Sequence, residues 1–190
     1  MSPALVPTRQ TVPIVLSRPS NDRVDTYLAM VDEMRALGEQ IWDSLACLPG
    51  ETPADFVQRV LQGEHSPAAG RVPDTVYWAL LDGEVVGRIA LRHLLNESLR
   101  RFGGHVSYEV RPSARRRGIA AEMIRQLLQT PRARSIGRLL VTCAPDNIGS
   151  SKAILANGGV LERTEFIEAI QRDTCFYWID VGGDGARSPA

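Results

Sequence analysis

Apolar positions recur along this chain in two rhythms, and the change from one to the other marks out its elements. Val24, Leu28, Val31, Met34 and Leu37 return at helical spacing up to Gly38, with Ser20 and Asn21 as candidate caps. Phe56, Val57, Val60 and Leu61 form the apolar face of a second helix, which opens on Thr52-Pro53 and stops at Gly63. Residues 75–81 and 84–91 are strand-like runs separated by Asp82-Gly83, a two-residue hairpin signal. A strand over 105–110 follows Gly103-Gly104 and ends before Pro112. The helix over 118–129 carries Ile119, Met123 and Leu127 at i, i+4 and i+8, with Ala120, Ile124 and Leu128 beside them, a stripe that must face a core. A buried strand (139–144), a helix (147–157) and a strand pair (160–166, 174–181) complete the pattern, and residues 11–17 form a first strand weakened by Pro13. The order β-α-α-β-β-β-α-β-α-β-β predicts a mixed α/β or α+β sheet in one domain over 11–181, with loose ends at 1–10 and 182–190.

Composition narrows the class without naming a function. Across 190 residues, 44% are hydrophobic and 23% charged, ordinary globular values. The longest strictly apolar runs, such as residues 76–81, are six residues, whereas a membrane-spanning helix needs ~20. The first ten residues lack the apolar region of a secretory signal. Three cysteines without a C-x-x-C pair, and three histidines (His65, His93, His105) without ligand spacing, give no reason to expect a disulfide framework or a metal. The expectation is a cytoplasmic protein that does not engage membranes, a monomer or homodimer.

Net charge is zero, but residues 100–138 hold 10 Arg against 2 Glu, while residues 1–99 hold 8 Arg against 13 acids. Arg115, Arg116 and Arg117 stand just before a helix start, where the dipole is already positive and each cation is unfavourable by ~0.3–1 kcal/mol. Gly118 and Ala120 strip bulk from the first turn, so its backbone N–H groups are approachable. Arginines, a dipole end and small residues together describe a phosphate or pyrophosphate site. A solvated basic loop is the plainer alternative. The residues do not fit a P-loop, because the only lysine, Lys152, sits in S-S-K-A-I, nor a dinucleotide fingerprint, because a basic loop separates strand from helix. Nucleic-acid binding is disfavoured by zero net charge and by few interleaved aromatics.

What remains is R-x-x-G-x-A, read as Arg115, Gly118 and Ala120, after a strand ending Y-E-V. It resembles the acetyl-CoA pyrophosphate motif, [QR]-x-x-G-x-[GA], of the GNAT superfamily of N-acetyltransferases. D-N-I-G-S-S-K-A-I-L-A-N-G-G (146–159) resembles that family's following helix, and R-H-L-L-N-E (92–97) before G-G-H-V-S-Y-E-V-R-P-S is similar to a group of bacterial members. The likeness is strongest over 104–161. It implies a mostly antiparallel twisted sheet flanked by helices, and acetyl-CoA as acyl donor.

The resemblance further implies backbone contacts to the pantetheine arm from Tyr108, Glu109 and Val110, with the Val110 N–H near the developing oxyanion. Arg115, Arg116, Arg117, Gly118, Ile119, Ala120 and Ala121 would hold the pyrophosphate, and Asn147 would contact the pantetheine. Ser150 and Lys152 are either cofactor contacts or ordinary helix-surface residues. Many members place an acidic Tyr seven residues after the helix Asn; here that position is Ile154, so Tyr108, Cys143, Ser150 or solvent is left to protonate the thiolate. His105 and Glu109 are the candidate bases. The acceptor is expected to be a small primary amine, with a protein N-terminus and a catalytically inactive CoA-binding sensor as alternatives. The acidic balance of residues 1–99 suits a cationic amine, although charge balance alone does not choose one.

Overall fold

The computed structural model describes residues 12–182; the two expected loose ends, apart from Gly182, lie outside the described residues. Seven strands form a sheet: β1 (Val15–Ser17), β2 (Asp74–Leu81), β3 (Glu84–Arg92), β4 (Val106–Val110), β5 (Arg138–Cys143), β6 (Val160–Ile167) and β7 (Arg172–Asp180). Their spatial order is β1-β2-β3-β4-β5-β7-β6, and every neighbouring pair is antiparallel except β4 and β5. Five α-helices flank the sheet: α1 (Val24–Ala36), α2 (Pro53–Gln62), α3 (Ile119–Leu128), α4 (Pro131–Ile136) and α5 (Ile148–Leu155). The mixed sheet expected from the pattern, with the mostly antiparallel pairing that the family resemblance implies, is the one that forms.

Local chemistry accounts for most boundaries. Asp82 (φ 52°) and Gly83 (φ 87°) both take the left-handed conformation that a two-residue hairpin requires. At α2, Thr52 Oγ1 accepts the Asp55 N–H and the Asp55 carboxylate accepts the Thr52 N–H, a reciprocal cap. Three expectations are corrected. The first strand begins at Val15, not residue 11. Ser20 and Asn21 do not cap α1, which starts after Arg23 with no side-chain cap and is held by burial of Tyr27, Met30 and Val31. The short α4 is an addition to the expected order: Thr130 caps it and Pro131 opens it, but Ala133 is the one buried residue in its six, so no periodicity announces it.

Each sheet face carries its own core. On one, Ile119, Met123 and Leu127 of α3 and Ile154 of α5 pack against Ile89, Val106 and Val141. On the other, Tyr27 of α1 stacks on Trp78 of β2 at 4.5 Å and lies 5.4 Å from Phe56 of α2. Trp178 is partly buried and Trp42 is exposed, so Trp78 alone of the three tryptophans is a full core residue.

The seam between β4 and β5 is made at one end only. Val106 pairs with Val141, and just before it the His105 N–H donates to the Leu140 carbonyl at 2.7 Å. The Leu140 N–H donates back to His105 Nδ1 at 2.9 Å. Gly104, at φ +64°, lets the strands approach, since a Cβ there would lie 2.6 Å from the Leu140 oxygen. Arg92 Nη1 ties the same turn by donating to the Gly103 and Gly104 carbonyls, each at 2.9 Å. Gly104→Ala combines left-handed strain with a backbone clash, and should cost about 2–4 kcal/mol. Thermal unfolding should register this as a Tm about 4–16 °C lower.

Candidate active site

Beyond Val106 the two parallel strands separate, and β4 is left with one side unpaired by β5. The Arg92 N–H donates to the His105 carbonyl and the Arg111 N–H to the Val86 carbonyl, so the odd-numbered residues of β4 turn their main-chain groups toward β3. By strand alternation, Tyr108 and Val110 turn theirs toward the gap. The Val110 carbonyl is taken by Arg115 Nε at 3.0 Å.

One side-chain bond spans the gap. Tyr108 Oη and Ser150 Oγ lie 2.5 Å apart, linking β4 to the first turn of α5. The Ser150 N–H in turn donates to Asn147 Oδ1 at 3.0 Å, making Asn147 the helix cap. Burial pushes the Tyr108 phenol up to about 12, against a lowering by the Ser150 hydrogen bond, so the phenol stays protonated at neutral pH. Burial also raises the Cys143 thiol nearby. Ile154 is fully buried in the core between α3, α5 and the sheet.

The loop feeding α3 meets the open end of the gap. Arg116 (φ 63°) and Gly118 (φ 82°) are both left-handed, and among the described residues no acceptor takes the N–H groups of Arg116, Arg117, Gly118, Ile119, Ala120 or Ala121. Unpartnered amides at a helix start form an anion cradle. The three arginines then divide. Arg115 binds Glu39 through Nη1 at 2.5 Å and Nη2 at 2.8 Å, besides the Val110 carbonyl, so its charge is spent on holding the loop. Its hydrogen bonds keep the Glu39 carboxyl below the usual carboxylate range. Arg116 and Arg117 are exposed, with no side-chain hydrogen bond among the described residues. Glu33 of α1 adds a second anchor, accepting Arg111 Nε at 2.6 Å and the Ser113 N–H at 3.1 Å. Glu33 and Glu39 are site-building residues that sequence reasoning missed, since each lies more than 70 positions from its partner and no local pattern marks it.

His105 and Glu109, the two candidate bases, share the opposite sheet face from Tyr108. His105 is buried, and its Nδ1 is engaged as an acceptor, which puts the proton of the neutral ring on Nε2. Burial, and then Arg100 and Arg92, lower its pKa to about 4. This is the bonding of a strand clamp, with no lone pair left for an incoming proton. Glu109 accepts Arg88 Nη1 at 3.3 Å across the β3–β4 pair.

The GNAT acetyltransferase family matches residues 39–154, more than half of the chain, and the protein belongs to that family. It is therefore an acyltransferase that uses acetyl-CoA, and the amide cradle and half-open strand seam fit a pyrophosphate and an extended pantetheine arm. Among solved structures it is similar to the microcin C7 self-immunity acetyltransferase MccE in complex with acetyl-CoA and AMP (16% identity, TM-score 0.62, covering 88% of this chain and 92% of that one). It also resembles the Salmonella typhimurium acetyltransferase that modifies the N-terminal serine of ribosomal protein L7/L12 (18%, TM-score 0.60, 90% and 96%). A third is Mycobacterium smegmatis RimJ in complex with CoA-disulfide (18%, TM-score 0.60, 88% and 81%). No curated protein matches the sequence. Among the described residues there is no candidate metal cluster and no helix long and apolar enough to cross a membrane.

The His105 clamp has a pH signature. Its folded pKa, about 4, lies below the reference value of 6.5, so the unfolded chain takes up the proton first as pH falls. This share of stability is complete above pH 6.5 and declines as pH drops from there to about 4. Urea unfolding across that window should show the decline, and His105→Gln should flatten it; an unchanged slope would refute the clamp assignment.

Proposed function

We propose that this protein is an N-acetyltransferase in which a primary amine attacks the acetyl thioester directly, within a single acetyltransferase domain over residues 11–181 of a cytoplasmic protein. The observation that carries the reading is the convergence of two unsatisfied backbone surfaces. The amides of Arg116, Arg117, Gly118, Ile119, Ala120 and Ala121 meet the end of β4, where Tyr108 and Val110 turn main-chain groups into a gap that lacks a strand. An extended, anion-ended ligand satisfies both at once.

In this reading the amides at the start of α3 hold the pyrophosphate, and Arg116 and Arg117 add long-range charge. Arg115 acts at one remove, fixing the loop through Glu39. Asn147 has its Oδ1 committed to the cap and offers its Nδ2 to the pantetheine arm. The Val110 N–H donates to the acetyl oxygen as negative charge develops there, a contribution that grows toward the transition state. Tyr108, backed by Ser150, delivers the proton to the departing sulfur; this pair takes the role that Ile154, a core residue, cannot fill. A thiol of pKa ~8.5 needs only modest help of this kind. Glu109 receives the amine proton through water on the other sheet face, and His105 serves as a positioning residue.

The acceptor is read as a small molecule. Acetylation of a protein N-terminus is the second reading, favoured by the likeness to the L7/L12-modifying enzyme. Peptide and small-amine panels run side by side separate the two. Turnover with neither would favour the inactive sensor.

The first test is thermal unfolding with acetyl-CoA. Ligand at one hundred times its dissociation constant adds ~2.7 kcal/mol, which at ~2–4 °C per kcal/mol is a rise of roughly 5–11 °C. Arg116→Glu and Gly118→Asp should remove the rise. Tyr108→Phe should keep it while lowering the amine-dependent rate of CoA release by about 10², the low end for a general acid because the thiol is a good leaving group. No rise at millimolar acetyl-CoA would overturn the reading.

A further inference from the structure

The acceptor side of the sheet holds a buried cation whose hydrogen bonds are incomplete. Arg88, in the middle of β3, has a side chain only 4% exposed. Among the described residues its one hydrogen bond is the 3.3 Å contact to Glu109, at the long end of the range. A guanidinium carries five N–H donors, and leaving most of them unmet in a desolvated place is costly. They are not sealed in: the fully occluded, partnerless side-chain atoms among the described residues are the indole nitrogens of Trp78 and Trp178. The unmet donors of Arg88 are therefore not fully occluded, and Arg88 lines a pocket. This pocket, of about 250 Å³, lies between α2, the loop that follows it and the sheet, with Arg71, Asp74 and Ser66 also on its wall.

The surrounding charges do not balance. Arg92, four residues along the same strand face, is half-buried and spends Nη1 on the Gly103 and Gly104 carbonyls. Burial, and then the like charge of Arg88, hold it below its usual range, with Arg71 adding to the effect. Burial works against the Arg88 charge, but the nearby carboxylates of Glu109 and Asp74 hold Arg88 above its usual range, and of the two only Glu109 is in hydrogen-bond contact with it. Arg59, also on the wall, is not available: Glu51 holds it through two hydrogen bonds at 2.7 and 2.9 Å, and the Ala46 carbonyl takes a third. Asp74 is the acid of residues 1–99 on the pocket wall, and Glu33, Glu39, Glu51 and Glu64 are each paired to an arginine.

We infer that this pocket is an oxyanion subsite of the acceptor site, and that the amine acetylated here is a small molecule bearing a carboxylate or phosphate group held by Arg88 and, at the rim, Arg71. The inference rests on the acetyltransferase reading and replaces the cationic amine that charge balance suggested. Its link to the reaction is Glu109, which pairs with Arg88 and stands in β4 between Tyr108 and Val110. An acceptor anchored by its anion at Arg88 brings its amine along the strand toward the residue assigned to take its proton.

The test uses matched amines with and without an oxyanion: O-phosphoethanolamine against ethanolamine, and β-alanine against propylamine, with spermidine and a neutral N-terminal peptide as further arms. CoA release in the presence of acetyl-CoA should favour the phosphate or carboxylate member of a pair by at least about tenfold in kcat/KM. The favoured member should also raise Tm by itself. Arg88→Gln and, on the exposed rim, Arg71→Ala should erase both the preference and that Tm rise while keeping the rise with acetyl-CoA. Phosphate preferred over carboxylate, or the reverse, identifies the source of the oxyanion. Equal rates within each pair, preference for spermidine, or turnover confined to the peptide would overturn the inference. Loss of the acetyl-CoA response in the unsubstituted protein is a different result, and would instead overturn the acetyltransferase reading.

Discussion

The strand seam between β4 and β5 is closed at Val106 and Val141 and open beyond, and the gap of the candidate active site depends on that asymmetry. A parallel pair inside a sheet normally satisfies its backbone along its whole length, because unpaired main-chain groups in a desolvated place cost free energy. Here Gly104, His105 and Arg92 concentrate five hydrogen bonds on the first turn, counting the backbone bond from the Arg92 N–H to the His105 carbonyl. They hold the strands together at that point and leave the rest of β4 to be completed by something else. The Tyr108–Ser150 bond crosses the opening on one sheet face, and the Arg88–Glu109 pair borders it on the other.

The basic loop is built on the same principle of commitment and reserve. Three adjacent arginines look equivalent as a string, yet Glu39 neutralises the first and leaves the other two exposed. Glu33 and Glu39, from α1 and the segment after it, hold the loop from behind through Arg111, Ser113 and Arg115. An anion cradle made of backbone amides works only if the backbone is held, and this bracing holds it without using the amides themselves. The pocket at Arg88 follows a similar pattern, with one donor committed and others left unmet.

Charge totals and charge positions part company in this protein. Residues 1–99 are acidic as a sum, but several of the acids are held in pairs that shape α1, α2 and the loop before α3, while Arg59, Arg71 and Arg88 of the same stretch line the pocket. Surface pairs of this sort contribute little each, and their effect here is positional.

By itself the sequence determined the element order, because burial on a sheet face or along a helix stripe leaves a period of 2 or 3.6 that can be read locally. Arginines and small residues at a helix start are written within six consecutive positions, 115–120, while the left-handed backbone of Arg116 and Gly118 is a property of the fold. The features the sequence left open all depend on contacts between distant residues. The α4 helix is too short to show a period, and the braces at Glu33 and Glu39 lie 76–80 residues from their partners. His105 and Glu109 look alike as candidate bases, and only the Leu140 amide distinguishes the clamp from the carboxylate. Ile154, at the position of the family's acidic Tyr, is a core residue, and Tyr108 meets Ser150 across 42 residues instead. Whether a polar group is spent or available depends on what tertiary packing places within about 3 Å of it, and local sequence carries no record of that.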